Sequence, residues 1–150
     1  MNKVMTILMV DDDPDDYCLV KDAILEKGLR NDFRFLSDGE ELMDYLSRRG
    51  KYVDPKSSPL PCLILLDLNM PGKGGRETLK TIKADPALRQ IPVVMFTDST
   101  DTNDIVECYR LGANSFITKP KTFDSLLETI TALETYWLKV TRLPIPSHES

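Results

Sequence analysis

The sequence predicts an α/β protein with a doubly wound, five-stranded parallel sheet that is covered by helices on both faces. Five short apolar runs alternate with segments of helical periodicity, which is the pattern of repeated strand–helix–strand units. The middle run, residues 62–66, is apolar at every position, as a strand buried on both faces should be. Because crossovers between parallel strands are right-handed, such units favour a sheet with helices on either side.

The predicted elements account for almost the whole chain. Strands are predicted over residues 4–10, 33–36, 62–66, 92–97 and 115–118, and helices over residues 14–28, 39–48, 76–84 and 123–137. A cap cluster at residues 99–104 predicts the start of a further helix, which carries Ile105, Val106 and Tyr109 and ends at Gly112. Asp13 followed by Pro14 predicts the start of the first helix, since aspartate caps free N–H groups and proline fits the first helical position. Residues 49–61 are rich in Gly, Pro and Ser and predict a long surface loop. We expect one domain over residues 1–140 and a tail over residues 141–150.

Length, charge and composition exclude several classes of protein. The chain has 150 residues, of which 41% are hydrophobic, and this suits one domain with a packed core. Its net charge of −5 argues against nucleic acid or an anionic membrane as partner, because both are bound through lysine and arginine. No apolar run is long enough to span a bilayer, and the N-terminus lacks the cleavage site of a signal peptide. We therefore expect a cytoplasmic protein.

Cysteine and histidine offer little for catalysis or metal binding. Cys18, Cys62 and Cys108 are scattered and form no paired motif, so we expect reduced thiols in the core. The single histidine, His148, lies in the tail, which excludes a histidine-based metal or catalytic cluster.

Reactive side chains lie at the carboxyl ends of four of the five predicted strands. Asp11, Asp12 and Asp13 follow the first strand, Asp67 follows the third, Thr97 ends the fourth and Lys119 follows the fifth. The carboxyl ends of parallel strands share one edge of the sheet, so these groups should converge. Crowded carboxylates repel each other, and a divalent cation resolves that conflict. Ligands that are all oxygen favour Mg²⁺. One carboxylate can also act as a nucleophile and form an aspartyl phosphate, whose charge Lys119 and Thr97 would then meet.

Each of these residues has a simpler explanation when it is taken alone. Asp13 is predicted to be only a helix cap, and Thr97 or Lys119 could be ordinary turn and surface residues. It is their joint placement that indicates a site. An EF-hand is excluded because the sixth loop position is Asp16 instead of glycine. The aspartyl phosphatases are excluded because Asn69 replaces the second aspartate that they need two residues after Asp67.

Four segments carry a family resemblance: residues 9–14 (MVDDDP), 65–72 (LLDLNMPG), 96–97 (FT) and 116–120 (FITKP). Together they resemble a response-regulator receiver domain, over roughly residues 3–137. The resemblance implies a flavodoxin-like receiver fold with strand order 2-1-3-4-5. It also implies a signalling switch that a histidine kinase phosphorylates, and an enzyme only in transferring phosphate to and from its own aspartate.

The resemblance assigns a role to each matching residue. Asp67 is the phosphoacceptor. Asp12 and Asp67 bind Mg²⁺ together with the backbone carbonyl of Asn69, and Asp11 acts partly through water. Lys119 pairs with the phosphoryl group and Thr97 bonds to it.

Two further features follow from the same resemblance. Phe116 is the aromatic switch residue, which packs inward when Thr97 moves. Tyrosine is commoner at this position. The peptide bond from Lys119 to Pro120 would be cis. Asp98 stands where many receivers have a small neutral residue, and its carboxylate either repels phosphate donors or caps the next helix.

The loop at residues 49–61 and the chain end, with Tyr136-Trp137 and Leu143-Pro144, resemble single-domain regulators paired with bacterial phytochrome-type histidine kinases. We expect no DNA-binding domain to follow, so the output would be contact with a downstream protein. Two other functions stay open: a Mg²⁺-dependent phosphohydrolase of small molecules, and a degenerate receiver that serves only as a scaffold. The intact Asp67, Asp12 and Lys119 argue against the scaffold.

The final helix has more apolar residues than one buried stripe needs: Phe123, Leu126, Leu127, Ile130, Leu133, Tyr136, Trp137 and Val140. Leu126 and Leu127 point about 100° apart, so both are covered only if the apolar face is wide or a second surface packs on it. We therefore expect a homodimer through the fourth helix, fifth strand and fifth helix. The resemblance supports this, because receiver domains commonly dimerise through that face. The alternative is that residues 143–146 fold back over this helix.

Overall fold

Five parallel strands form one sheet in residues 5–140, the part of the chain that this computed structural model describes. They are β1 (Thr6–Val10), β2 (Asp32–Leu36), β3 (Leu63–Leu66), β4 (Val93–Thr97) and β5 (Ser115–Thr118). Their order across the sheet is β2-β1-β3-β4-β5, and every pair is parallel. The predicted fold class and strand order are confirmed. The predicted tail, residues 141–150, lies outside the described residues.

Each strand is followed by a helix: α1 (Pro14–Glu26), α2 (Gly39–Leu46), α3 (Gly75–Ala84), α4 (Thr102–Arg110) and α5 (Phe123–Glu134). A π-helical segment, Thr135–Val140, continues α5. Asp13 caps α1 by accepting a hydrogen bond from the Asp15 N–H, and Pro14 takes the first helical position, as predicted. Among residues 5–140, no helix is both long and apolar enough to cross a bilayer.

Two apolar cores lie on opposite faces of the sheet, because successive strand side chains point to opposite sides. On β1, Leu8 and Val10 face the core beneath α2, α3 and α4, whereas Ile7 and Met9 face the core beneath α1 and α5. All residues of β1, β3 and β4 are buried, while those of the outer strands β2 and β5 are mostly half-buried. The central strands therefore hold their carboxyl ends in fixed positions at one edge of the sheet.

The long loop between α2 and β3 is tied to the domain by polar contacts. The Tyr45 hydroxyl donates to the Pro59 carbonyl at 2.6 Å, and the Arg48 guanidinium donates to the Ser58 carbonyl at 2.9 Å. A short 3-10 turn, Gly50–Tyr52, interrupts it. The surface loop predicted for residues 49–61 is thus present, with its far end fixed against α2.

The apolar excess on α5 is largely covered by the domain itself. Leu126, Ile130 and Leu133 are buried, and Leu127 packs half-buried against the same core. The wide apolar face is therefore the explanation for the adjacent leucines. Phe123 and Tyr136 remain 38% and 53% exposed.

The three cysteines are free thiols in different environments. Cys108 is buried as predicted, but Cys18 lies on the exposed side of α1, so the expectation of three core thiols is wrong for that residue. Its position on the helix places it away from Val20 and Ala23, which face the core. Cys62 is half-buried, its Sγ donates to the Thr6 carbonyl at 3.4 Å, and burial raises the pKa of its thiol to about 11.

We predict that a disulfide reagent at about pH 8 modifies Cys18 first and Cys62 at least about tenfold more slowly, because the thiolate is the reacting form. The rate at Cys62 should rise as the pH approaches its pKa. The rate of thiol modification in the native protein measures this, and Cys18→Ser should remove the fast phase alone. Three thiols reacting at one common rate would contradict the prediction.

Candidate functional site

The carboxyl ends of β1, β3, β4 and β5 surround a polar cavity of about 330 Å³. It is lined by Asp11, Asp12, Asp13, Pro14, Asp16, Asp67, Asn69, Thr97, Asp98 and Lys119. Every residue predicted for the phosphoryl and metal site lies on this list. The shared edge of the parallel sheet thus brings together side chains that are far apart in sequence.

Backbone hydrogen bonds fix the residues that leave the strands. The Asp67 N–H donates to the Val10 carbonyl at 2.9 Å, which extends the pairing of β1 with β3 by one residue. The Lys119 N–H donates to the Thr97 carbonyl at 2.7 Å and does the same for β4 and β5. Asp67 and Lys119 therefore stand on the last hydrogen-bonded positions of their strands.

The start of α3 is packed directly against the end of β3. A Cβ atom at Gly75 would lie 2.2 Å from the Asp67 carbonyl oxygen and 2.7 Å from the Leu68 Cα. No side chain fits there without moving the backbone. Glycine at this position lets α3 support Asp67 from below, and the sequence pattern gave no sign of this contact beyond a glycine-rich turn.

Three carboxylates could hold a metal ion at this edge. One oxygen each from Asp11, Asp12 and Asp67 lies within 4.8 Å of the others. Asp11 and Asp67 are only 1% and 6% exposed, whereas Asp12 is exposed to solvent. Asn69 is adjacent, and its N–H lies 3.4 Å from the Asp67 carboxylate. A donor set made only of oxygen fits a hard divalent cation such as Mg²⁺.

The Lys119 ammonium group lies among three carboxylates. Its Nζ is 2.7 Å from Asp11, 2.6 Å from Asp16 and 3.3 Å from Asp67. Burial by itself lowers the pKa of Lys119, but the carboxylates of Asp11 and Asp16 beside it outweigh burial, so the pKa is raised and the group stays charged. The ammonium donates hydrogen bonds to Asp16 and Asp67. The Asp11 Oδ2 lies at ion-pair distance but, among the described residues, accepts no hydrogen bond.

Asp11 is the most strongly desolvated of these carboxylates. Burial raises its pKa to about 6, although the Lys119 ammonium and the backbone N–H of Asp13 act in the opposite direction. A carboxyl group whose pKa is raised by burial in a polar cavity is typical of a functional site.

Thr97 supplies a buried hydroxyl group at the edge of the cavity. It is fully buried, and among the described residues its Oγ1 has no hydrogen-bond partner. A buried hydroxyl without a partner costs stability, and this one borders the cavity that holds Asp67 and Lys119. The position suits a hydroxyl that bonds an anionic group bound in the cavity.

Phe116, the predicted switch residue, is half-buried against the core beneath α2, α3 and α4. Its backbone N–H donates to the Tyr109 hydroxyl at 3.1 Å. Tyr109 was not predicted to contact β5. The contact links α4 to the strand that carries Phe116, and only the packing of α4 against β5 places it there.

Three further expectations have definite outcomes. Asp98 lines the cavity and does not cap α4, because Asp101 accepts the capping hydrogen bond from the Asn103 N–H. The predicted cis peptide at Lys119–Pro120 is wrong: no peptide bond in residues 5–140 is cis, and trans is the intrinsically preferred form. Asp16 was not among the predicted site residues, yet it is the carboxylate nearest to the Lys119 Nζ, at 2.6 Å.

Comparison with known proteins assigns most of the chain to the family that the sequence motifs resemble. A model of the response regulator receiver domain matches residues 7–131. The chain is 37% identical to the response regulator Rcp1 of Synechocystis sp. over 143 residues, or 95% of each chain. The crystal structure of the Mn²⁺-bound form of Rcp1 superimposes with a TM-score of 0.83, at 37% identity, over 93% of this chain and 99% of that one.

Two other crystal structures are similar over nearly their full lengths. One is the phosphorylated cyanobacterial phytochrome response regulator RcpA, with a TM-score of 0.87, 37% identity and coverage of 95% of this chain and 99% of that chain. The other is response regulator RPA3017 in red light signalling of R. palustris, with a TM-score of 0.91, 30% identity and coverage of 95% and 100%. The strand order and the acidic cluster at the carboxyl edge of the sheet are those that the resemblance to receiver domains implied. This chain belongs to the response regulator receiver domain family and is similar to phytochrome response regulators.

Proposed function

We propose that Asp67 accepts a phosphoryl group from a histidine kinase, with Mg²⁺, and that the phosphorylated chain signals by contact with another protein. The observation that carries this proposal is the position of Asp67. Its carboxylate belongs to the acidic cluster and lies 3.3 Å from the Lys119 ammonium, in the cavity bordered by the unpartnered Thr97 hydroxyl. A nucleophile, cationic and hydroxyl partners for a phosphoryl group, and metal ligands thus share one cavity.

The chemistry follows from these positions. A carboxylate oxygen of Asp67 attacks the phosphorus of a phosphohistidine, so an O–P bond forms as the N–P bond breaks. The electron pair of that bond stays with the departing imidazole nitrogen, which takes up a proton. Lys119 and Thr97 then bind oxygens of the new acyl phosphate, which has a charge of about −1.5 to −2. Attack by water at the same phosphorus returns Asp67 and inorganic phosphate.

We assign the metal ligands to Asp11, Asp12, Asp67 and the Asn69 carbonyl. Mg²⁺ bound there would neutralise negative charge that develops on the phosphoryl oxygens. The Mn²⁺-bound form of Rcp1 supports a divalent ion in the family. The all-oxygen donor set supports Mg²⁺ in particular.

Phosphorylation in the cavity would change the conformation of side chains on the α4 side of the sheet. Thr97 ends β4, and its register partner is Thr118 of β5. A Thr97 side chain drawn toward a phosphoryl group leaves space for Phe116 to move inward. Phe116 has no hydroxyl with which to hold that position, so packing alone would stabilise it.

A phytochrome-type histidine kinase is the partner that we propose. Rcp1, RcpA and RPA3017 support it, since the latter two are described as phytochrome and red-light regulators. The downstream partner would be a protein, because a net charge of −5 disfavours nucleic acid. A cytoplasmic location remains a prediction.

We predict that Asp67→Asn abolishes labelling by acetyl phosphate and Mg²⁺, since the variant keeps the shape of the side chain but lacks the nucleophile. Intact-protein mass spectrometry measures the added phosphate. A stable, alkali-labile label on the wild type indicates the switch, steady turnover without label indicates a phosphohydrolase, and no label indicates a scaffold.

Asp98→Asn is the matched control, because Asp98 lines the same cavity and is not among the ion-pair partners of Lys119 in the described residues. It should be labelled at least as fast as the wild type, since a carboxylate near the entrance repels an anionic donor by about 1 kcal/mol. Labelling of Asp67→Asn at the wild-type rate would disprove the assignment.

We also propose a homodimer through α4, β5 and α5. Val106, Tyr109, Phe123 and Tyr136 are 47%, 49%, 38% and 53% exposed on these helices and the segment that continues α5. Exposed aromatic and apolar groups of this kind are typical of protein interfaces. The competing cover, residues 143–146, lies outside the described part of the chain.

We predict that beryllofluoride with Mg²⁺ raises the sedimentation coefficient of the wild type and that Tyr109→Glu prevents this rise. Analytical ultracentrifugation measures both. Glutamate in place of Tyr109 adds a charge to the exposed surface of α4 within the proposed interface. A monomer in both states would refute the dimer.

A further inference from the structure

Asp16 makes a contact that none of the roles above explains. It is on the first turn of α1, its side chain is 26% exposed, and its Oδ2 lies 2.6 Å from the Lys119 Nζ. Asp67, the proposed phosphoacceptor, lies farther from the same nitrogen, at 3.3 Å. The lysine that must serve the phosphoryl group is thus paired more closely with a residue of α1 than with the phosphoacceptor.

The neighbouring aspartates of α1 do not share this contact. Asp13 caps the helix, and Asp15 is exposed. Among the described residues, the ion-pair partners of Lys119 are Asp11, Asp16 and Asp67. The positive end of the helix dipole stabilises the negative charges of Asp15 and Asp16 in the same way. The contact with Lys119 is therefore what distinguishes the two residues.

Asp16 acts in opposite directions on a cation and on a phosphoryl group. It adds a negative charge beside the acidic cluster and draws the Lys119 ammonium away from Asp67, and both effects favour a bound metal ion. A phosphoryl group on Asp67 is itself an anion that needs Lys119. For that group Asp16 is a competitor for the ammonium and a source of repulsion.

We propose that Asp16 is a positioning residue that holds Lys119 toward α1 and shifts the site toward metal binding at the expense of phosphoryl binding. The proposal rests on the proposed function, because it assumes that Asp67 carries the phosphoryl group. Its consequence is a phosphorylated state that is less stable than the cavity would otherwise allow. Loss of Asp16 should therefore weaken the binding of Mg²⁺ and strengthen the binding of a phosphoryl group.

The test compares Asp16→Asn with Asp15→Asn, which removes the same charge from the same helical turn without touching Lys119. Calorimetry measures Mg²⁺ affinity in the absence of any phosphoryl group. Fluorine NMR measures beryllofluoride affinity at saturating Mg²⁺. We expect Asp16→Asn to weaken Mg²⁺ binding and tighten beryllofluoride binding, each by about three- to tenfold, and Asp15→Asn to change either by less than about twofold.

The outcomes separate the two proposals. If Asp16→Asn weakens the binding of both Mg²⁺ and beryllofluoride, Asp16 only supports the structure, and the inference is overturned. It is also overturned if neither affinity changes, if Mg²⁺ binding tightens, or if Asp15→Asn gives the same shifts. Asp16→Glu, which keeps the charge, should stay closer to the wild type than Asp16→Asn in both measurements. Beryllofluoride binding to Asp67→Asn would instead refute the proposed function, whatever Asp16 does.

Discussion

The buried ammonium of Lys119 holds together three segments of the chain that would otherwise repel one another. Its carboxylate partners come from the end of β1, the first turn of α1 and the end of β3. Asp11 and Asp67 have almost no access to water, so their negative charges are poorly screened. The position of Lys119 at the end of β5 therefore places one buried cation between these carboxylates.

The rest of the fold serves to keep these charged groups in place. The central strands are apolar on both faces and buried throughout, which gives the site a rigid base. Gly75 brings α3 against Asp67 from one side, and the Asp13 cap fixes the start of α1 on the other. Among the described residues, the buried Asp11 Oδ2 and Thr97 Oγ1 have no hydrogen-bond partner, and both residues line the cavity at the carboxyl edge, where a ligand can satisfy them.

Much of the site was predictable because one geometric rule governs it. Residues that directly follow parallel strands must meet at one edge, and this placed Asp11, Asp12, Asp67, Thr97 and Lys119 together from the sequence alone. Asp16 escaped prediction because its role depends on how far the lysine side chain reaches and on the rotation of α1. Whether Asp98 or a later residue caps α4 depended on where that helix begins, which is the least certain feature of a sequence pattern. The exposed Cys18 likewise depended on the helix face.

The central claim is that the Lys119 ammonium offsets the repulsion of the carboxylates at this edge. The most direct measurement is the free energy of unfolding of Lys119→Met without divalent metal, compared with that of Lys121→Met, which alters an exposed lysine two residues away. We expect Lys119→Met to lose about 3–5 kcal/mol, because it leaves buried carboxylates unpaired, and to recover part of this with Mg²⁺. Lys121→Met should stay near the wild type. Equal stability of the two variants in the absence of metal would contradict the account.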